Sequence, residues 1–457
     1  MVGEPLSARL EGVAHDEGAK LLRGLVDEIH WLDRSPFLSA SATDPALPPI
    51  VHALTTEQLG ATATRHVRAR PRPRPDGRRR VGVAFAPEHG TAARAWATAR
   101  RLPLLAADPA VTARAADKID ALAIFRASGV PTPEYLLVPA HGRAGAAAYW
   151  PPRWAAAVVQ LRENNLTGRG TRLARDPGEL QDLLDRWPGA ELRVGEYVDG
   201  LPLTVSACVI GDRVVVSAVS RQLVGVPGLT EDWGAHCGNQ LLGAADLPGA
   251  AYQGVRESAR RVGEELRDRG YRGVFGLDLL LAADERVLAV EINPRFQTVV
   301  SLVQRAEREA GLLPTLGLHV LACLLPSVPV RTVTVALGPL SQLVTHAARA
   351  ETAVALPRPG RYRLTDGGPL TGPAPVGAGL ADLAPGEALV WAQSPPGGPV
   401  RPGDELLLVQ LAEQVAPEGP GGARGLLPRA RAWLAALSAA PPGAPGDLPS
   451  PARSPSR

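Results

Sequence analysis

The sequence has 457 residues and a formal net charge of +3, and its acidic and basic side chains are mixed along the chain. That length allows about two to four domains, while the near balance of charge argues against a nucleic-acid or membrane partner. The three cysteines have no metal-ligand spacing, the N-terminus has no export-signal pattern and no apolar run can span a bilayer, so we expect a cytoplasmic protein with reduced thiols.

The first 115 residues alternate between helical and strand patterns, which predicts an N-terminal α/β domain. A helix is predicted near residues 17–32 and a strand over residues 81–86. Between them, residues 65–80 are rich in arginine and proline and contain no Phe, Trp or Tyr. Such a segment is more typical of an extended, solvated loop than of a nucleic-acid surface, and its role stays open.

Lysine is nearly absent from the chain: of the 49 lysines and arginines, only Lys20 and Lys118 are lysines. A compact ammonium and a planar guanidinium are not interchangeable at a phosphate, so a retained lysine is a candidate anion ligand. Lys118 stands at the predicted start of a helix, where free backbone amides also favour an anion. A solvent-exposed lysine at a helix end is the alternative interpretation.

A predicted strand over residues 155–161 leads into a loop that contains Gly168 and Gly170, with a threonine beside each. Glycines in such a loop can turn backbone amides toward phosphate oxygens, and the loop can fold over them as a lid. A plain turn explains the two glycines as well.

Four polar residues farther along the chain are candidates to face a carboxylate substrate. Arg221 and Gln222 stand at a predicted strand end, and His236 and Asn239 lie in the loop-like stretch that follows. The polarity that is usual in loops explains these four residues about equally well.

Two apolar runs separated by a short polar step predict a β-hairpin over residues 273–293. A two-residue turn at residues 284 and 285 places Asp278 opposite Glu291 and Gly276 opposite Asn293. An ordinary hairpin with a different register is the alternative, because a slip of one residue moves these side chains to the other face.

In the predicted register, Asp278, Glu291 and Asn293 share one face of the hairpin. Two directly opposed carboxylates repel each other, which costs stability unless a cation lies between them. A small set of oxygen ligands with room for phosphate oxygens suits Mg²⁺, with Mn²⁺ as an alternative ion. The hairpin therefore predicts half of a metal site.

After about residue 326 the composition shifts to proline and glycine between short strand patterns, which predicts a small β-rich module over residues 327–438. The remaining residues, 439–457, are rich in proline, serine and glycine and are expected to be disordered. The function of the module does not follow from its sequence.

In their order along the chain, these signals resemble the ATP-grasp superfamily: a lysine at a helix start, a glycine loop after a strand, a hinge strand, and a hairpin that ends in Glu-x-Asn. The resemblance covers roughly residues 117–309, and its most specific part is GLDLLL followed by AVEINPRF. It implies an α/β (α+β) chain with an ATP-grasp fold. We predict a domain over residues 116–326, preceded by an N-terminal α/β domain over residues 1–115.

The resemblance also implies roles for individual residues. The residues expected to contact ATP are Lys118, Gln160, Arg162, Gly168, Gly170, Glu196 and Val198. Gln160 stands where the family usually has a second lysine, so Arg162 or Arg169 is a candidate for the missing charge. The carbonyl of Glu196 and the amide of Val198 match the adenine hinge, whereas Pro202 stands where a ribose-binding carboxylate is common. Arg295 is the catalytic candidate, because the matching arginine neutralises the transferred phosphoryl group.

These roles imply an ATP-dependent ligase that joins a small carboxylate to an amine through an acyl phosphate and releases ADP and phosphate. The absence of a convincing nucleophile and base pair agrees with chemistry that depends on positioning. One alternative is a carboxylation like that of biotin carboxylase, with bicarbonate as the acid. Another is a nucleotide-binding regulatory protein without turnover. The identity of both substrates and the oligomeric state, with a homodimer among the options, stay open.

Overall fold

A computed structural model describes residues 8–33, 47–54, 79–86, 92–162, 170–352, 354–365, 370–374, 383–394, 397–417 and 425–439. The helices of this part are α1 His15–Leu25, α2 Ala92–Arg100, α3 Pro109–Ala116, α4 Ala121–Ala127, α5 Pro177–Arg186, α6 Gly249–Asp268, α7 Val300–Glu309, α8 Thr315–Leu324 and α9 Pro428–Ser438.

The first thirteen strands are β1 Ala8–Gly12, β2 Glu28–Asp33, β3 Ile50–Leu54, β4 Arg80–Ala84, β5 Tyr135–Val138, β6 Ala157–Leu161, β7 Thr171–Ala174, β8 Leu192–Glu196, β9 Gly200–Ile210, β10 Arg213–Val224, β11 His236–Leu242, β12 Gly273–Ala282 and β13 Val287–Asn293. The others are β14 Arg331–Val335, β15 Ser341–His346, β16 Gly360–Leu364, β17 Leu370–Ala374, β18 Glu387–Ala392 and β19 Glu405–Leu411.

The N-terminal region contains a three-stranded parallel sheet in the order β3-β2-β4. The helix predicted over residues 17–32 is wrong in its second half, because α1 ends at Leu25 and β2 begins at Glu28. In β2, residues 29 to 32 are all buried, as expected for the central strand of a parallel sheet. Burial on both faces leaves no period-two pattern that would separate this strand from the helix before it.

A four-stranded antiparallel sheet in the order β5-β8-β6-β7 forms the middle of the chain. Helix α5 starts at a well-formed cap, in which the Asp176 carboxylate accepts from the amides of Gly178 and Glu179. Its buried leucines pack with Val159 and Val194 of the sheet in one apolar cluster. One face of the sheet is thereby covered by this helix.

The largest sheet has ten strands in the order β13-β12-β9-β10-β11-β15-β19-β18-β16-β17, and each neighbouring pair is antiparallel. Side chains of β12 alternate between its faces, so that Phe275 packs with Val262 of α6 and Val274 packs with Leu321 of α8. Helices on both sides bury this part of the sheet.

The hairpin of β12 and β13 has the predicted pairing at its functional end, with Asp278 opposite Glu291 and Gly276 opposite Asn293. The predicted two-residue turn is wrong. Leu281 pairs with Val287, and a three-residue loop ends at Glu285, whose φ of 64° is left-handed. A bulge at Val290 then restores the predicted register.

The C-terminal strands β15 to β19 belong to the same sheet as the hairpin, because β15 pairs with β11. The predicted domain boundaries at residues 115, 326 and 438 stay predictions. Most of the arginine-rich segment and the tail beyond residue 439 lie outside the described residues. Within the part that the structure describes, no helix is both long and apolar enough to cross a membrane.

Candidate active site

A cleft of about 300 Å³ lies between the four-stranded sheet and strands β9, β10, β12 and β13 of the ten-stranded sheet. Of the predicted site residues, those that line it are Lys118, Gln160, Glu196, Val198, Gln222, His236, Asn239, Asp278, Glu291, Asn293 and Arg295. Residues predicted from separate segments of the sequence thus meet in one cavity.

Asp278 is held by four neutral donors. One carboxylate oxygen accepts from Thr204 Oγ1 at 2.6 Å, Gln222 Nε2 at 2.9 Å and Gln297 Nε2 at 3.0 Å. The other oxygen accepts from Asn293 Nδ2 at 2.9 Å. These bonds fix the orientation of the carboxylate without adding positive charge.

Burial raises the pKa of Asp278, and the nearby Glu291 carboxylate raises it further. Two carboxylates held this close repel each other, and a cation bound between them would stabilise the pair. Among the described residues, no group of three or more His, Cys, Asp or Glu side chains could hold a metal. The candidate set is therefore two carboxylates and the amide of Asn293, which are hard oxygen donors suited to Mg²⁺.

Lys118 is buried, with 3% of its surface exposed, so the interpretation as a surface lysine is wrong. Its Nζ lies 3.6 Å from Glu291 Oε2. The lysine precedes α4 rather than starting a continuous helix, and the Asp117 carboxylate caps this turn by accepting from the amides of Ile119 and Asp120. The capped turn directs the ammonium into the cleft.

Arg295 lies beside the same acids, and its Nη2 donates to Asn293 Oδ1 at 2.9 Å. Its Nη1 donates to the carbonyl of Phe296 at 3.0 Å, and the guanidinium carbon lies 5.7 Å from the ring centroid of Phe85. The arginine is thus held at the edge of the candidate metal site.

Gln160 is buried and lines the cleft, and its Nε2 lies 3.5 Å from Thr171 Oγ1. Arg162 does not line it. Its guanidinium pairs instead with three carboxylates, those of Asp117, Asp120 and Glu191. The structure therefore does not support Arg162 as the substitute for a phosphate-binding lysine, because these acids already neutralise its charge.

The predicted hinge residues Glu196 and Val198 line the cleft where β8 ends. The amide of Glu196 donates to the carbonyl of Glu134 at 2.8 Å, and the next amide donates to Ala156 at 3.0 Å. Gly168 and Arg169 lie outside the described residues. Gly170 is buried and accepts from the amide of Leu161, and it does not line the cleft.

Of the four predicted substrate residues, Gln222, His236 and Asn239 line the cleft and Arg221 does not. Neighbouring residues of a strand point to opposite faces, so Arg221 and Gln222 cannot both face one cavity. Arg221 instead donates to the carbonyl of Pro417. His236 Nε2 and Asn239 Oδ1 lie 2.8 Å apart, which joins these two side chains in one polar group.

The sequence patterns missed Gln297 and Arg193, which both line the cleft. Gln297 reaches Asp278 across Gly276, where an added Cβ would lie 2.0 Å from the amide carbon of Gln297. Nothing in the local sequence indicates this contact. Arg193 was detectable in principle, because it is a charged residue between the apolar Leu192 and Val194 and lies two positions before Gly195.

Comparison with known proteins identifies one domain of the chain. Residues 115–299 match the model of the ATP-grasp domain. A D-alanine–D-alanine ligase of Oleidesulfovibrio alaskensis is 28% identical over 223 residues, which are 46% of this chain and 67% of the ligase. An N5-carboxyaminoimidazole ribonucleotide synthase of Synechococcus elongatus is 27% identical over 41% of this chain and 44% of the synthase.

The fold agrees with these matches. The crystal structure of a carboxyaminoimidazole ribonucleotide synthase from Aspergillus clavatus complexed with ATP superimposes with a TM-score of 0.55 at 14% identity, and covers 91% of this chain and 98% of that one. At 14% identity, this likeness shows the fold alone. The chain carries an ATP-grasp domain over residues 115–299.

Proposed function

We propose that this protein is an ATP-dependent ligase that joins a carboxylate to an amine and releases ADP and phosphate. The observation that carries the proposal is the convergence of Lys118, the Glu196 to Val198 hinge, the Asp278 and Glu291 pair and Arg295 on one cleft. This arrangement combines a hinge for the adenine base, two cations for the phosphate groups and oxygen ligands for a metal ion. Its relatives named above include a ligase and a synthase.

Asp278, Glu291 and Asn293 would hold Mg²⁺, or Mn²⁺ in its place. The ion would neutralise charge on the phosphate oxygens of the nucleotide during transfer. The opposed carboxylates fit this role, because the proximity of Glu291 already disfavours the charged form of Asp278. The charge of Glu291 is in turn partly balanced by Lys118.

The reaction has two steps. A carboxylate oxygen of the acid attacks the γ-phosphorus of ATP, and the bond to ADP breaks to leave an acyl phosphate. The amine nitrogen then attacks the acyl carbon, phosphate leaves, and the nitrogen loses a proton. The protein contributes positioning and electrostatic stabilisation, so no side chain has to form a covalent bond.

The residues of the cleft divide these tasks. The backbone of Glu196 and Val198 would hold the base, and Lys118 and Gln160 would contact phosphate oxygens. Arg295 would neutralise the charge on the transferred phosphoryl group. Gln222, His236 and Asn239 would orient the acid or the amine, which we propose to be small molecules in the cytoplasm.

The test is ADP release from the purified protein with Mg-ATP and pools of amino acids and small carboxylic acids, with mass spectrometry of each reaction. We expect ADP that depends on the substrates and a condensed product whose mass names both partners. A reaction with bicarbonate as the acid and an amine or biotin as the acceptor distinguishes the carboxylation alternative from the proposed ligase. ATP binding by calorimetry without ADP in any pool would favour the regulatory alternative, and absence of binding would contradict the nucleotide site.

A further inference from the structure

Arg193 is a buried cation that faces the cleft, with 3% of its surface exposed. Its Nη1 donates to the carbonyl of Val290 at 3.1 Å, and its guanidinium carbon lies 5.5 Å from the ring centroid of Tyr135. A guanidinium carries five N–H donors, so the bond to Val290 leaves most of its donor capacity for other partners.

The position of Arg193 lies between the two ends of the proposed nucleotide site. Arg193 is two residues before Gly195 on β8 and therefore shares its face, and Gly195 lines the cleft next to the hinge. On the other side, Arg193 bonds to Val290, the neighbour of Glu291, and the Glu291 carboxylate attracts its charge. The guanidinium thus lies where a chain of phosphates would run from base to metal.

Arg193 also supplies the charge that its own sheet otherwise lacks. Among the described residues of the four-stranded sheet that line the cleft, Arg193 is the one cation. Gln160 stands directly opposite it in the β6–β8 pair and is neutral. Burial lowers the pKa of Arg193 to about 10, so the guanidinium is still charged at neutral pH. A buried charge is costly unless it is compensated, and an anionic ligand would compensate it.

We propose that Arg193 binds a phosphate group of the nucleotide and, together with Lys118, forms the cationic centre of the cleft. The inference rests on the proposed function, because it takes the ligand to be a nucleotide polyphosphate. The proposal places on β8 the phosphate-binding charge that the family resemblance implies on β6, at the position of Gln160.

The first experiment compares binding of ATP, ADP and adenosine to Arg193→Met by calorimetry. Methionine keeps much of the apolar stem and removes the charge. We expect ATP and ADP to bind roughly 10 to 100 times more weakly, as for the loss of a charged hydrogen bond, and adenosine to bind as in the wild type. Arg172→Met is the matched control, because Arg172 lies on β7 of the same sheet and does not line the cleft.

A rescue variant tests the charge itself. Directly opposed residues of antiparallel strands have Cβ atoms about 5 Å apart, so Gln160→Lys can return a cation to nearly the same place. We expect the double variant Gln160→Lys/Arg193→Met to regain most of the affinity for ATP. If Arg193→Met does not fold, Arg193→Lys serves instead. We expect this variant to bind ATP several-fold more weakly than the wild type and to bind adenosine equally well.

The outcomes separate the two proposals. Absence of ATP binding by the wild type would overturn the proposed function and this inference with it. Normal ATP binding by a folded Arg193→Met would overturn the inference alone. An equal loss of ATP and adenosine affinity would also overturn it, because Arg193 would then support the base end or the sheet.

Discussion

Asp278 and Glu291 face each other across two strands, and Lys118 Nζ lies 3.6 Å from the Glu291 carboxylate. Four neutral donors orient Asp278, and the charge of Arg295 offsets part of the rise in its pKa. At the scale of single residues, the two acids therefore have different surroundings. In the proposed metal site, Glu291 would link Lys118 to the ion, and Asp278 would provide a fixed oxygen ligand.

We expect Glu291→Gln and Asn293→Ala each to lower substrate-dependent ADP release roughly 100-fold or more, because each removes an oxygen ligand or its charge from the reacting phosphates. The unfolding temperature should stay close to that of the wild type. Glu285→Gln, at the exposed turn of the same hairpin, is the matched control and should leave turnover unchanged. Normal turnover in both site variants would show that the hairpin is not the metal site.

Lys118→Arg should weaken ATP binding about tenfold, since the charge is kept while the buried geometry around Glu291 is lost. The chain offers its own control, because Lys20, the other lysine, is exposed on α1. Lys20→Arg should bind ATP normally in the same calorimetric titration. Equal affinities for the two variants would remove Lys118 from the nucleotide site.

At the scale of elements, the predicted register of the hairpin is correct at Asp278 and Glu291, although the predicted turn is wrong. The loop is one residue longer than predicted, and this alone would move the acids out of register by one position. The bulge at Val290 cancels the shift, and the carbonyl of Val290 accepts from Arg193. Period-two patterning was sufficient to choose the face, because directly opposed residues of two strands, and residues two apart on one strand, point to the same side of the sheet.

The junction of α7 and α8 contains a buried acid outside the cleft. Both carboxylate oxygens of Glu307 accept from the hydroxyl of Thr315, at 2.6 and 2.8 Å, and one accepts from its amide at 2.6 Å. Burial raises the pKa of Glu307 from 4.5 to about 7, while the bonds from Thr315 oppose this rise. The folded state therefore binds a proton more tightly than the unfolded state does.

Because the folded pKa is raised, the stabilising contribution of Glu307 is fully present below pH 4.5 and is lost as the pH rises through 7. This loss is roughly 3 kcal/mol at most. Glu307→Gln keeps the shape of the side chain without the charge. The free energy of unfolding of this variant minus that of the wild type should therefore rise between pH 5 and pH 8, as measured by urea unfolding. Glu309→Gln on the same helix is the control, and parallel pH curves for wild type and Glu307→Gln would contradict the prediction.

At the scale of the whole molecule, the C-terminal strands continue the sheet that carries the site. Strand β15 pairs with β11, which holds His236 and Asn239, and Gln240 Oε1 of β11 accepts from the amides of Val415 and Ala416 at 2.9 and 3.1 Å. Removing these strands would leave a long unpaired edge and a buried amide without its donors. The strands thus contribute to the shape of the cleft.

A chain ending at residue 339, before β15, should show no cooperative unfolding and no ATP binding, because β11 loses its partner strand. A chain ending at residue 439 keeps α9 and every C-terminal strand, and it should unfold and bind ATP like the full chain. Circular dichroism with temperature and calorimetry measure both properties. Normal ATP binding by the shorter chain would show that the framework of the site folds without β15 to β19.

Local patterns in the sequence predicted the hairpin of β12 and β13 and the face shared by Asp278, Glu291 and Asn293. These features depend on side-chain period and on short-range turn chemistry, which the sequence contains directly. The strand patterns of the C-terminal part were visible for the same reason, and β15 to β19 lie within residues 327–438, where a β-rich module was predicted. The expectation of a loop at His236 and Asn239 was wrong, because both lie on β11.

Only the tertiary structure decided which charges reach the cleft. Arg162 is neutralised by acids from three distant positions, Arg221 faces away from its neighbour Gln222, and Arg193 enters the cleft from β8. Each outcome depends on which strand lies beside which and on a bulge that no local pattern encodes. Electrostatic roles are set by neighbours in space, so they follow from the packing of the sheets rather than from the order of residues along the chain.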